Sequence, residues 1–137
     1  MSEVRILLVE DNDGDILLTQ EALKEGKIRN HIIVARDGQE ALDMLNTIDI
    51  LPDLILLDIN LPRVDGFEVL TTIKTDERLK SIPVIMLSTS GTETDILTSY
   101  NNYANCFITK PVDFTRFMDV VRSIENFWVS LVKLPKK

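Results

Sequence analysis

The chain predicts a doubly wound α/β domain: a five-stranded parallel sheet with helices on both faces. Three observations carry that expectation. Short apolar runs alternate with segments of helical spacing five times over, the pattern of consecutive strand–helix units. The central run, residues 54–57, is apolar at every position, as a strand buried on both faces is. The runs also end in polar or charged residues followed by loops, at the strand ends where α/β sheets gather their chemistry.

Residues 5–10 form the first strand and end on an acid, Glu10. Asp11, Asn12, Asp13, Gly14 and Asp15 follow, dense in turn and cap formers. Helical spacing then runs over 16–25, with Asp13 or Asp15 as the cap and Gly26 as the stop. The second strand, 31–35, is rich in β-branched residues. Asp37 and Gly38 mark a turn, and 39–47 reads as a helix with Ala41, Leu42 and Leu45 inward. The central strand, 53–57, lies between Pro52 and Pro62 and leads into Asp58. Gly66 opens a third helix through Phe67, Leu70 and Ile73 to Thr75.

Residues 83–87 make the fourth strand; proline at its first position removes no necessary donor. A small-residue loop, 88–91, precedes Thr92 and Asp95, which suit a capping arrangement. The helix they would start is weakened by Asn101, Asn102 and Asn105. Residues 106–108 are a short fifth strand, followed by Lys110 and Pro111. The last helix, from Asp113, carries apolar residues at 114, 117, 121, 124 and 128, one face of a helix. Right-handed crossovers leave few topologies for five such units. The order 2-1-3-4-5, called flavodoxin-like, fits best and puts the first strand beside the third. We expect one domain over 1–125, with 126–137 extending the last helix and no separate output domain.

Composition excludes several classes. The 137 residues carry 15 Lys plus Arg against 22 Asp plus Glu, a formal net charge of −7. That balance argues against nucleic acid, whose phosphates need a basic face, and against an anionic membrane surface. No run of about 18 apolar residues exists to span a bilayer. The N-terminus lacks the basic and apolar regions of a secretory signal. The single cysteine, Cys106, permits no internal disulfide and no multi-cysteine zinc site. It reads as a buried, inert thiol, and the whole points to the cytoplasm.

The strand ends carry the chemistry. In a parallel sheet Glu10 and Asp11, Asp58, Ser88, and Thr109 with Lys110 fall along one edge. Three acids that close repel one another, and burying them bare is prohibitive. A hard divalent cation relieves the repulsion, and carboxylates with a backbone carbonyl and water suit Mg²⁺. Lys110 adds positive charge for Asp58 or for an anion bound to it. Metal, carboxylate, hydroxyl and ammonium together suit phosphoryl transfer, where stabilising charge on the moving group is most of the catalysis. Asp58 is then the nucleophile, forming an acyl phosphate.

The residues Glu10 and Asp11, Asp58 with Asn60 and Pro62, Asp65 with Gly66, Ser88, and Lys110 with Pro111 resemble the receiver domains of two-component response regulators. The resemblance covers roughly residues 4–125. It implies that Asp58 accepts phosphate from a sensor histidine kinase and that Mg²⁺ is held by Glu10, Asp11, Asp58 and the backbone carbonyl of Asn60. It implies that Ser88 and Lys110 bind phosphoryl oxygens, and that Phe107 is an aromatic switch turning inward as Ser88 moves. It also implies a cis bond before Pro111; the residues alone favour trans. Further stretches, 10–12, 60–63, 104–112 and 123–128, are similar to the small response regulators paired with cyanobacterial and other bacterial phytochromes, which are stand-alone homodimers. Asp13 departs from the proline common there, Ser88 replaces the wider family's threonine, and Thr89 is bulkier than the usual alanine or glycine.

The expected function is a phosphorylation switch acting on a protein–protein surface, with no catalysis beyond its own phosphorylation and dephosphorylation. Phe127, Trp128, Leu131 and Val132, with Leu134, lie past the point where a five-unit domain is complete, and such a stripe suits homodimerisation or partner docking. His31 has no second ligand near it in the chain and receives no role. Two rivals differ in class. A Mg²⁺-dependent phosphatase with an aspartyl-phosphate intermediate needs a second acid two residues after its nucleophile, and Asn60 stands there. A non-phosphorylated receiver-like interaction module usually lacks the acids or the lysine. Nucleotide-binding glycine motifs are absent from the sequence.

Overall fold

Alternate residues of the central strands feed two different cores, which is why their sequence is apolar throughout. In the computed structural model, residues 4–25, 30–88, 106–113, 115–117 and 119 are described. They form β1 (Val4–Val9), α1 (Asp13–Glu25), β2 (Asn30–Ala35), α2 (Gly38–Thr47), β3 (Leu54–Asp58), α3 (Gly66–Thr75), β4 (Val84–Ser88) and β5 (Cys106–Thr109). Residues 115–117 and 119 are helical. On one face Ile6, Leu8, Leu54, Leu56, Ile85 and Leu87 pack with Ile16 and Leu23 of α1 and with Phe117. On the other, Leu7, Val9, Ile55, Leu57, Val84 and Met86 pack with Ala41, Leu45, Val69, Leu70 and Ile73 of α2 and α3. Odd and even positions thus separate as the period of two requires.

The sheet has the order β2-β1-β3-β4-β5 with every pairing parallel. This is the predicted topology. β1 sits between β2 and β3, so the chain leaves it toward one sheet edge and returns on its other side to build the rest. The crevice of a doubly wound sheet opens at that reversal. Register brings the functional ends level: Val9 lies opposite Leu57, Asp58 opposite Leu87, and Ser88 opposite Thr109.

Local capping chemistry places the helices. The α1 helix begins at Asp13, three residues before the predicted start. Its cap is Asn12, whose side-chain oxygen accepts the Asp15 N–H at 2.9 Å. Neither Asp13 nor Asp15 caps it, because both already lie inside its first turn. Asp37 and Asp65 cap α2 and α3 by accepting the N–H of Glu40 and Glu68. Asp113 accepts the N–H of Arg116 at 2.8 Å, the predicted start of the last helix. Leu42 and Phe67, expected inward, are half-buried against the second core. Gly26, the loop 89–91, the helix expected from Thr92, the Cys106 side chain and positions 114, 121, 124 and 128 lie outside the described residues.

Gly66 is required where α3 begins. A Cβ there would stand 2.2 Å from the Asp58 carbonyl oxygen and 2.7 Å from Ile59 Cα. The Gly66 N–H donates to the Ile59 carbonyl at 3.0 Å. The helix therefore rests directly on the backbone that carries Asp58.

Candidate functional site

β1, β3, β4 and β5 deliver one residue each to the carboxyl edge of the sheet. Glu10 follows β1 and is held by its N–H donating to the Ala35 carbonyl at 2.9 Å. Asp58 is the last residue of β3, and Ser88 the last of β4. Lys110 follows β5, with its N–H on the Ser88 carbonyl at 2.7 Å. Glu10, Asp58 and Ser88 are 1%, 3% and 0% exposed, the buried polar residues of an otherwise apolar interior together with Thr19 among the described residues. Asp11 is exposed. The Lys110–Pro111 bond is cis.

The Lys110 ammonium is the hub. Its Nζ lies 2.6 Å from Glu10 Oε1, 3.0 Å from Asp15 Oδ2 and 3.1 Å from Asp58 Oδ2. The three N–H bonds of an ammonium are matched by three carboxylates. Burial pulls the Lys110 pKa down, but its bonds to Glu10 and Asp15 and the charges of Asp58 and Glu10 prevail, and it lies above the ordinary lysine value. Glu10 moves the other way from its neighbours' attraction. Burial, then the hydrogen bond and charge of Asp58, raise its pKa from 4.5 to about 7 against the pull of Lys110. The second oxygen of Glu10 accepts the Asn12 N–H at 3.3 Å.

Asp58 is oriented from both sides. Its Oδ1 accepts the Asn60 N–H at 3.1 Å while Oδ2 accepts from Lys110. The loop beyond it is tightly drawn: Ile59 donates to the Leu87 carbonyl, and Arg63 takes a φ of 68°, a region unfavourable for a residue with a side chain. Arg63 lies 3.7 Å from Asp37.

Glu10, Asp11 and Asp58 each offer a carboxylate oxygen, all within 4.8 Å of one another. Two of these acids are buried and one reaches solvent, all with hard oxygen donors. That set fits a divalent cation that keeps part of its water.

The predicted residues therefore meet: Glu10, Asp11, Asp58, Ser88 and Lys110 share one edge. Phe107 lies two residues before Thr109 on β5, opposite Met86 and half-buried against the second core. Phe127, Trp128, Leu131 and Val132 lie outside the described residues. Asp15 was missed. An acid in a helix's first turn is ordinarily explained by the helix dipole, and nothing in linear spacing distinguishes one that instead reaches Lys110, 95 positions away.

Comparisons with known proteins agree with this geometry. The model of the response regulator receiver domain matches residues 6–122. Response regulator Rcp1 of Synechocystis sp. is 44% identical over 135 residues, covering 95% of this chain and 92% of that protein. The bacteriophytochrome response regulator AtBRR superposes with a TM-score of 0.85 at 43% identity, covering 93% of this chain and 96% of that one. The phosphorylated cyanobacterial phytochrome response regulator RcpA gives 0.78 at 46% identity, over 94% and 96%. The Mn²⁺-bound form of Rcp1 gives 0.74 at 43% identity, over 90% and 93%. Among the described residues no helix is long and apolar enough to cross a membrane. With its five-stranded sheet, its acidic edge suited to a divalent metal and this match over most of its length, the chain belongs to the response regulator receiver-domain family.

Proposed function

We propose that the chain is a Mg²⁺-dependent phosphorylation switch in which Asp58 accepts a phosphoryl group from a sensor histidine kinase. The observation that carries this is the Lys110 ammonium set between buried Glu10 and Asp58, beside a cluster of acids able to hold a cation. An Asp58 oxygen forms the new O–P bond, and the N–P bond of the donor phosphohistidine breaks with its electron pair returning to the imidazole. Mg²⁺ bound by Glu10, Asp11, Asp58 and the Asn60 carbonyl would neutralise charge on the phosphoryl oxygens. Lys110 meets another of those oxygens, and the Ser88 hydroxyl a third. The Asn60 N–H on Oδ1 holds the carboxylate plane during attack.

The output follows from what changes. A carboxylate becomes a dianionic acyl phosphate, and Ser88, paired through its backbone to Lys110, is drawn toward it. Phe107 turns inward on the neighbouring strand, and the surface of the fourth and fifth strand–helix units changes its affinity for a protein partner. Such a local charge event biases a two-state element. The kinase is a phytochrome in this reading, because AtBRR and RcpA are named as phytochrome response regulators. The protein acts in the cytoplasm through a receiver domain over 1–125; residues 126–137 lie outside the described residues.

Intact mass after incubation with Mg²⁺ and acetyl phosphate tests the acceptor. One added phosphoryl group is expected, and none in Asp58→Asn; no gain, or an undiminished gain in the variant, would sink the reading. Homodimerisation through Phe127, Trp128, Leu131 and Val132 rests on their apolar character. Truncation after Glu125 should lower the mass in light scattering, and an unchanged mass would refute it.

A further inference from the structure

Four carboxylates surround this site, yet phosphoryl acceptance and metal binding employ only Glu10, Asp11 and Asp58. Asp15 is left over. It contacts Lys110 at 3.0 Å, a well-formed charge-assisted hydrogen bond. Its side chain is 28% exposed, whereas that of Lys110 is 8% exposed. Asp15 thus closes the site on its solvent side.

The three contacts of Lys110 come from different parts of the fold. Glu10 and Asp58 are carried by the sheet, through β1 and β3. Asp15 is carried by the first turn of α1, which is capped by Asn12 and carries an exposed ion pair beside it. The Asp15 N–H is held by Asn12 Oδ1, and Asp13, two residues earlier, pairs with Arg36 at 2.6 Å beyond β2. A lysine is a point charge on a four-carbon stem with much rotamer freedom to lose. Left to itself such a side chain extends its ammonium toward water. Asp15 stands on the solvent side of the ammonium and is anchored there by the helix, so it holds Lys110 over Asp58.

We propose that Asp15 is a positioning residue for phosphoryl transfer, fixing the Lys110 ammonium where the incoming phosphoryl oxygen will stand. The inference rests on the phospho-acceptor reading above. Once Glu10 engages a cation and Asp58 carries the phosphoryl group, Asp15 is the remaining carboxylate that keeps the ammonium in place. In the reaction with acetyl phosphate the Asp58 O–P bond forms, the acetyl P–O bond breaks, and acetate leaves with the electron pair. Lys110 bonds to the moving group throughout, so its position enters the rate.

The test is a double-mutant cycle on the full chain, following phosphorylation by acetyl phosphate at saturating Mg²⁺. Asp15→Asn keeps the shape and removes the charge, and denaturation midpoints check that each variant is folded. We expect Asp15→Asn to slow phosphorylation about tenfold, less than the roughly hundredfold that an ångström's misplacement can cost. Lys110→Ala slows it as well, and the double variant is within twofold of Lys110→Ala alone, because residues acting through one contact are not additive. A rate for Asp15→Asn within twofold of the parent overturns the proposal, and so do effects that multiply in the double variant. The latter outcome assigns Asp15 a through-space charge effect on the site. If the parent chain gains no phosphoryl group, the acceptor reading fails as a whole. If the parent gains it and Asp15→Asn matches it, only the role of Asp15 fails.

Discussion

Replacing Lys110 by methionine removes a buried cation while nearly keeping its volume, and the cost is predicted to depend on pH through Glu10. Removing one partner of a buried ion pair typically costs about 3–5 kcal/mol, because a charge is left uncompensated. Here the abandoned charge has an escape. The Glu10 pKa is raised from 4.5 to about 7 even with Lys110 present, and loss of Lys110 removes an influence that lowers it. A carboxyl raised on folding contributes stability that is full below its unfolded value, 4.5, and lost as pH rises through the folded value, about 7. At about 1.4 kcal/mol per pH unit, ionised Glu10 already costs the metal-free parent roughly 3 kcal/mol at pH 8. At pH 5.5 Glu10 is largely protonated in parent and variant alike, so its share of the difference vanishes. The expected loss for Lys110→Met is about 2.5 kcal/mol at pH 8, of which the one pH unit above the Glu10 pKa supplies about 1.4 kcal/mol, falling to about 1 kcal/mol at pH 5.5, where the bonds to Asp58 and Asp15 account for what remains. Urea denaturation followed by circular dichroism, with a chelator present, reads both values. In thermal melts the pH 8 loss corresponds to about 8 °C. Equal losses at the two pH values, or a loss under about 0.5 kcal/mol at pH 8, would refute the account of Lys110 as the counter-ion of Glu10.

Divalent-metal affinity should share that pH dependence. A cation must displace the proton from Glu10, so Mg²⁺ binding weakens toward tenfold per unit as pH falls below about 7, and calorimetric titration giving a flat profile from pH 8 to 5.5 would remove Glu10 from the ligand set. Gly66→Ala forces a Cβ into the Asp58 carbonyl; a stability loss of about 1–3 kcal/mol is expected, together with slower phosphorylation, and a variant matching the parent in both would show that α3 does not brace the site. Leu56→Ala empties a fully buried position of the central strand and should cost about 2–5 kcal/mol by denaturation, while phosphorylation of the folded fraction is retained; a smaller loss would contradict the packing of the first core.

Much of this was legible in the chain. Residues 54–57 announced a strand buried on both faces, because alternating positions there serve two cores and none faces water. Asp58, Ser88 and Lys110 were readable as a site because in a parallel sheet all strands end on the same edge, so residues far apart in sequence become neighbours by topology alone. Helix starts were less legible. Asn12, Asp13 and Asp15 are all acceptable caps by residue type; in the folded chain Asn12 caps α1, while Asp13 and Asp15 in its first turn face Arg36 and Lys110.

What the sequence determined by itself, then, is the order of the strands, the two-sided burial of β3, and the acids, hydroxyl and lysine at the strand ends. These depend on local periodicity and residue type, which are linear properties. Only the tertiary structure decided which carboxylates share the Lys110 ammonium, that Glu10 is the strained one among them, and that Asp15 belongs to the site. Those depend on distances of a few ångströms between β1, α1, β3 and β5, and on how completely the surrounding chain excludes water. Electrostatic energies change steeply with both, and neither is written in the spacing of residues along the chain.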